Sequence, residues 1–181
     1  MTVDNKLKNK KPMPPSIYFG GCAFGSAFCK YIDISPFLFE FGHYSNHTID
    51  IGVYQAMVEC WGDDFYKKVM CSGGSAGTIF AIAVALGRPP AYTDILYRSV
   101  AEKSYRHGPI YYASIFLEES LYELLADPLA FKTLEGRCCF GTTEFFSKHR
   151  WHISWEDNAD LIKTVQGSYH IPFYCRYVDG E

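Results

Sequence analysis

The stretch VMCSGGSAGTIFAIAVALG, Val69 to Gly87, decides the fold. A short strand, KKVMCS, runs into two glycines and a serine, and ten mostly apolar residues follow without a break. Ala76 to Gly87 reads as a helix that is apolar all round, which places it in the interior. Its small residues, Ala76, Gly77, Ala81, Ala83 and Ala85, let it lie close to a sheet. Between strand and helix, Gly73-Gly74-Ser75-Ala76-Gly77 fits the pattern G-x-S-x-G. A serine nucleophile at a strand-to-helix corner needs small flanking residues, because a larger side chain there collides with the strand or the helix. The helix N-terminus then offers a positive dipole to a developing oxyanion. The bare pattern also fits an ordinary glycine-rich turn; the strand before it and the buried helix after it favour the nucleophile elbow.

Working outward, SIYFGG (Ser16 to Gly21) reads as a buried strand ending in the glycine loop Gly20 to Gly25. Such a loop can aim several backbone N–H groups at one point. Its spacing is not G-x-G-x-x-G, and the nearest acidic residue at the right distance, Glu40, lies in an irregular stretch, so a nucleotide site is disfavoured. Donors for an oxyanion suit a chain that also has a serine elbow. DIGVYQAMVECWG has helical spacing, with Ile51, Val53, Ala56, Met57 and Cys60 along one side. Pro89-Pro90 ends the buried helix. Thr93 to Arg106 and Ala113 to Ala126 read as further helices, and RCCFGTTEF and RWHISW as strands. Asp157 or Asn158 caps a helix reaching Gly167, and FYCRYV is a last strand that delivers Asp179-Gly180. Strands separated by helices predict an α/β fold with a mainly parallel sheet, whose sites form at the strands' carboxyl ends.

Composition narrows the classes. At 181 residues and 20.6 kDa the chain can build a full core, and residues 15–181 read as one domain behind a Lys/Pro-rich tail, 1–14. The first eleven residues carry four lysines and one aspartate, so the rest of the chain stands at −6. An acidic body leaves no footprint for nucleic acid. Seven cysteines without a CxxC pair suggest neither a disulfide framework nor a zinc site, and free thiols fit a reducing, cytoplasmic compartment. No apolar run is long enough to span a bilayer.

Asp179 before Gly180 reads either as a simple turn or as a carboxylate base for Ser75. A serine–histidine–acid triad in the hydrolase order places the histidine after the acid, and no histidine follows Asp179. Asp157 or Asp160 with His170 is the remaining triad option. His149 and His152, three apart on a strand, face opposite sides and make a poor metal pair. Cys22 reads as a reactive thiol or, more commonly, as a buried inert one.

Taken in this order, the motifs resemble the patatin-like phospholipase family, closest to its animal-type branch. IYFGGCAFGSAF is similar to that branch's first strand and oxyanion loop, and CSGGSAGTIFAIAVALG to its elbow and buried helix. WEDNADLIKTVQGSYHIPFY is similar to the segment before the catalytic aspartate, and YVDGE to its Asp-Gly motif. The resemblance covers roughly Ser16 to Glu181. It implies a three-layer α/β/α sandwich and a Ser-Asp dyad, Ser75 with Asp179. It further implies an oxyanion hole from the backbone N–H groups of Gly21, Cys22 and Ala23, with Gly73 and Gly77 shaping the elbow. The implied activity is hydrolysis of glycerolipid acyl esters through an acyl-enzyme. No metal or other cofactor is implied, and the implied workplace is peripheral to a membrane or lipid-droplet surface. Three departures carry an alternative, a catalytically inactive lipid- or protein-binding module. Cys22 and Ala23 stand where the family usually has glycine, Glu181 stands in place of a small residue, and the family's pattern runs on where this sequence stops, as in a fragment or a short domain.

Overall fold

The computed structural model describes residues 16–19, 51–75, 77–108, 112–143 and 149–170. Among them are four strands and six α-helices. In chain order they are β1 (Ser16–Phe19), α1 (51–61), a 3-10 turn (Phe65–Lys68), β2 (Met70–Gly73) and α2 (Gly77–Ala85). Then follow α3 (Pro90–His107), α4 (Tyr112–Leu124), α5 (Ala130–Leu134), β3 (Cys138–Thr143), β4 (His149–His152) and α6 (Asn158–Tyr169). The fold is mixed α/β, as expected.

The strands lie in the order β1-β2-β3-β4. β1 and β2 are parallel, as are β2 and β3; only β4 runs antiparallel, against β3. A parallel pair needs a crossover, and helices α2 to α5 supply it between β2 and β3. Alternation along the strands sorts their residues. Cys71, Gly73, Cys138 and Phe140 are buried, while Met70, Ser72 and Cys139 between them are only half-buried.

Helix α2 is the centre of the core. All nine of its residues are buried, and it packs on β1, β2 and β3. A helix without a polar face satisfies its backbone internally and surrounds itself with apolar partners. It ends at Gly87, whose φ of 67° is left-handed. The Gly87 N–H donates to the Val84 carbonyl and the Arg88 N–H to Ala83 O, both at 2.9 Å, which closes the helix in a Schellman motif. The left-handed backbone calls for glycine here, and the Tyr66 ring packs into the space that a Cβ would take.

The flanking helices differ from the sequence reading in instructive ways. In α1 the inward residue is Tyr54, with Ile51, Met57 and Val58 half-buried beside it; Val53 and Cys60 are exposed. The Tyr54 ring packs edge-on against Phe65 and Phe80, and its hydroxyl donates to the Arg88 carbonyl. Pro90 opens α3 rather than merely ending α2, since its missing N–H costs nothing at the first helical position. α3 and α4 pack together, and α6 lies on β3, with Leu161, Ile162, Val165 and Tyr169 among its buried residues. Asp157 caps α6: its side chain accepts from the Asp160 N–H at 2.8 Å, and Asp160 Oδ2 accepts from the Glu156 N–H at 3.1 Å. Asn158 ties α6 to the α4–α5 connection, donating to Leu125 O and Asp127 O and accepting from the Phe131 N–H. No helix among the described residues is long and apolar enough to cross a membrane.

Candidate active site

Because β1, β2 and β3 are parallel, their carboxyl ends share one edge of the sheet. Gly73 closes β2 at that edge and Gly77 opens α2, leaving three residues to turn the chain. So tight a corner forces the middle residue out of ordinary backbone space. Ser75 has a φ of 53°, and it is the only non-glycine residue with positive φ among those described. Left-handed backbone in a serine costs on the order of 1–2 kcal/mol, so the surroundings must hold it.

The hold is visible on both sides of the residue. The Ser75 N–H donates to Ser168 Oγ at 3.0 Å. The Ser75 carbonyl accepts from the Thr78 N–H at 3.1 Å and from Thr78 Oγ1 at 2.6 Å. The Gly74 carbonyl accepts from the Gly77 N–H at 3.1 Å. Gly73 sits against the first turn of α2 with no room for a Cβ, which would stand 2.6 Å from the Gly77 carbonyl oxygen. Ser75 itself is half-buried, between the buried Gly73 and the buried Gly77. The three elbow residues read from the sequence, Gly73, Ser75 and Gly77, are therefore brought together in a strained turn at the strand ends.

Two neighbours of the elbow were not legible in the sequence. Ser168, in the last turn of α6, is 93 residues away along the chain. Tyr18, exposed near the end of β1, brings its hydroxyl within 2.7 Å of where a Cβ on Gly74 would stand. Both lie in stretches that carry the resemblance, IYFGGCAFGSAF and WEDNADLIKTVQGSYHIPFY, but no spacing assigns either of them to the elbow. Only the register of β1 on β2 and the seating of α6 on the sheet place them here.

Asp179, Gly21, Cys22 and Ala23 lie outside the described residues, as does the segment FYCRYV that the sequence predicts as a last strand. The triad option of His170 with Asp157 or Asp160 is overturned. Those carboxylates cap the start of α6, whereas His170 follows its end. A rise of 1.5 Å per residue puts about 15 Å or more between them.

The remaining candidates have structural partners. His149 Nδ1 pairs with Thr143 Oγ1 at 3.0 Å, and His152 Nε2 with Thr142 Oγ1 at 2.9 Å. Thr142 and Thr143 are neighbours on β3, so the two histidines sit on opposite faces. No group of three His, Cys, Asp or Glu side chains among the described residues is placed to hold a metal ion. Burial pushes the Cys71 thiol up to about 12, far from the thiolate range of a reactive cysteine. Comparison of the chain with protein-family models, with curated proteins and with solved structures gives no match.

Proposed function

We propose that the chain is a serine hydrolase of the patatin-like type, with the three-layer α/β/α arrangement of that family, acting on acyl esters of glycerolipids. The observation that carries the reading is Ser75 at φ 53°, set between a parallel strand and a buried helix. Strained backbone at such a corner exposes a hydroxyl for attack. Ser75 Oγ gives its proton to Asp179 and attacks the ester carbonyl. The departing alcohol takes that proton from Asp179 as the acyl-enzyme forms. Water then loses a proton to Asp179, attacks the acyl carbonyl, and the fatty acid leaves as Ser75 regains its proton.

The oxyanion needs N–H donors other than that of Ser75, which is already committed to Ser168. In this reading the residues that follow β1 supply them. Phe19 and Gly73 are register partners, so the chain leaves β1 beside the elbow. Gly21 follows Phe19 by two residues, which bounds its Cα to within about 7 Å of that of Phe19. The N–H groups of Gly21, Cys22 and Ala23 fill this role, aided by the α2 dipole. Lipid contact is peripheral in this reading.

Hydrolysis of short-chain and long-chain glyceride esters by wild type, Ser75→Ala and Asp179→Asn tests the proposal. Each substitution lowers turnover by about 10³-fold or more, with the fold intact. The side chains at Cys22 and Ala23 favour a second reading, a lipid- or protein-binding module without turnover. It is the outcome if wild type binds glyceride emulsions yet hydrolyses them no faster than Ser75→Ala.

A further inference from the structure

We infer that Ser168 is a positioning residue of the elbow, an inference that rests on the hydrolase reading. The direction of the Ser75 side chain is set by the two peptide planes that meet at its Cα. Thr78 fixes the plane on the carbonyl side, through both its N–H and its hydroxyl. Thr78 belongs to α2, so that tie is local. The plane on the amino side is fixed by Ser168 Oγ, which accepts the Ser75 N–H at 3.0 Å. A residue held at φ 53° has a lower-energy alternative at negative φ, and turning to it swings the N–H away from its acceptor. Ser168 opposes that turn.

It does so from a rigid base. Ser168 stands in the last turn of α6, directly before the buried Tyr169 and three residues after the buried Val165. Its helix is capped at the far end by Asp157 and packed on β3. The bond therefore links two elements that meet only through tertiary structure. It also removes the Ser75 N–H from the donors open to a substrate oxyanion.

The test is saturation labelling of the full chain with a fluorophosphonate probe, which gives a limiting rate and a half-saturating concentration. Wild type is compared with Ser168→Ala, Ser168→Thr and Ser168→Val. The last two share one shape and differ by the hydroxyl, so their comparison stands even where Ser168→Ala fails to fold. Circular dichroism and Tm confirm folding. The hydroxyl-free variants lose about three- to tenfold in limiting rate, with half-saturation unchanged, and Ser168→Thr recovers most of it. The Ser75 amide exchanges hydrogen faster in the valine variant than in the threonine variant. A valine variant that labels as fast as the threonine one, with wild type labelled, overturns this role alone. Wild type that takes no label removes the hydrolase reading and this role with it.

Discussion

Cys71 on β2 and Cys138 on β3 are register partners, side by side in the sheet and both buried as free thiols. They share the face of the sheet that carries Gly73, which abuts the first turn of α2, so buried apolar side chains lie beneath the elbow. Burial pushes Cys71 from an ordinary 9.0 up to about 12 and raises Cys138 as well, with Cys71 adding to the effect. At about pH 8, iodoacetamide should modify the exposed Cys60 and leave Cys71 and Cys138 untouched until denaturant is added. Site-resolved mass spectrometry checks this, and fast alkylation of Cys71 in the folded chain contradicts it.

The same shifts set a pH dependence. The folded state keeps both thiols protonated, while the unfolded chain ionises them above about pH 9. Their contribution to stability is therefore complete below pH 9 and is lost as the pH rises towards 12. Tyr54, raised from 10.0 to about 12 by burial first of all, acts with the same sign from about pH 10. Urea midpoints should be level from about pH 7 to pH 8.5 and then fall. The fall should be shallower in a Cys71→Ala/Cys138→Ala variant. Equal slopes in the two proteins contradict the account.

Gly73→Ala should unfold more readily than wild type by about 1–3 kcal/mol. Its new methyl meets backbone, at Gly77 O and 2.7 Å from Thr78 Cα, and neither can swing away as a flexible side chain would. Chemical denaturation measures the loss. A change under about 0.5 kcal/mol would mean that β2 and α2 are not in backbone contact at the elbow.

Ser75→Gly should be more stable than Ser75→Ala by roughly 0.5–1 kcal/mol. Both lack the hydroxyl, but only glycine is relieved at φ 53°. Denaturant midpoints of the pair read the strain directly, and an alanine variant as stable as the glycine one speaks against it. If both are stable and both are inactive, strain and chemistry meet at the same residue.

Much of this architecture is legible from sequence where one element supplies its own evidence. The nine buried residues of α2 are apolar or small throughout, and the glycines around Ser75 mark the turn. The parallel β1–β2–β3 core follows from strands separated by helices. What fails is what depends on partners. Tyr54 is buried and Val53 is not, because the pocket formed by Phe65 and Phe80 accepts a ring whose hydroxyl can reach Arg88 O. The 3-10 turn Phe65–Lys68 and the five-residue α5 are too short to show a period. Pro90 starts a helix because Pro89 before it is extended, and a proline alone cannot announce which side of it is helical. In the candidate site, Ser75 is legible from its own turn, whereas Ser168 and Tyr18 reach the elbow only through the sheet and α6.

The most direct measurement is the mass of the intact protein, and of its elbow peptide, after exposure to a fluorophosphonate. One adduct is expected on wild type, mapped to Ser75, and none on Ser75→Ala of equal stability. An adduct that persists at another residue in Ser75→Ala, or a folded wild type that takes up none, contradicts the account.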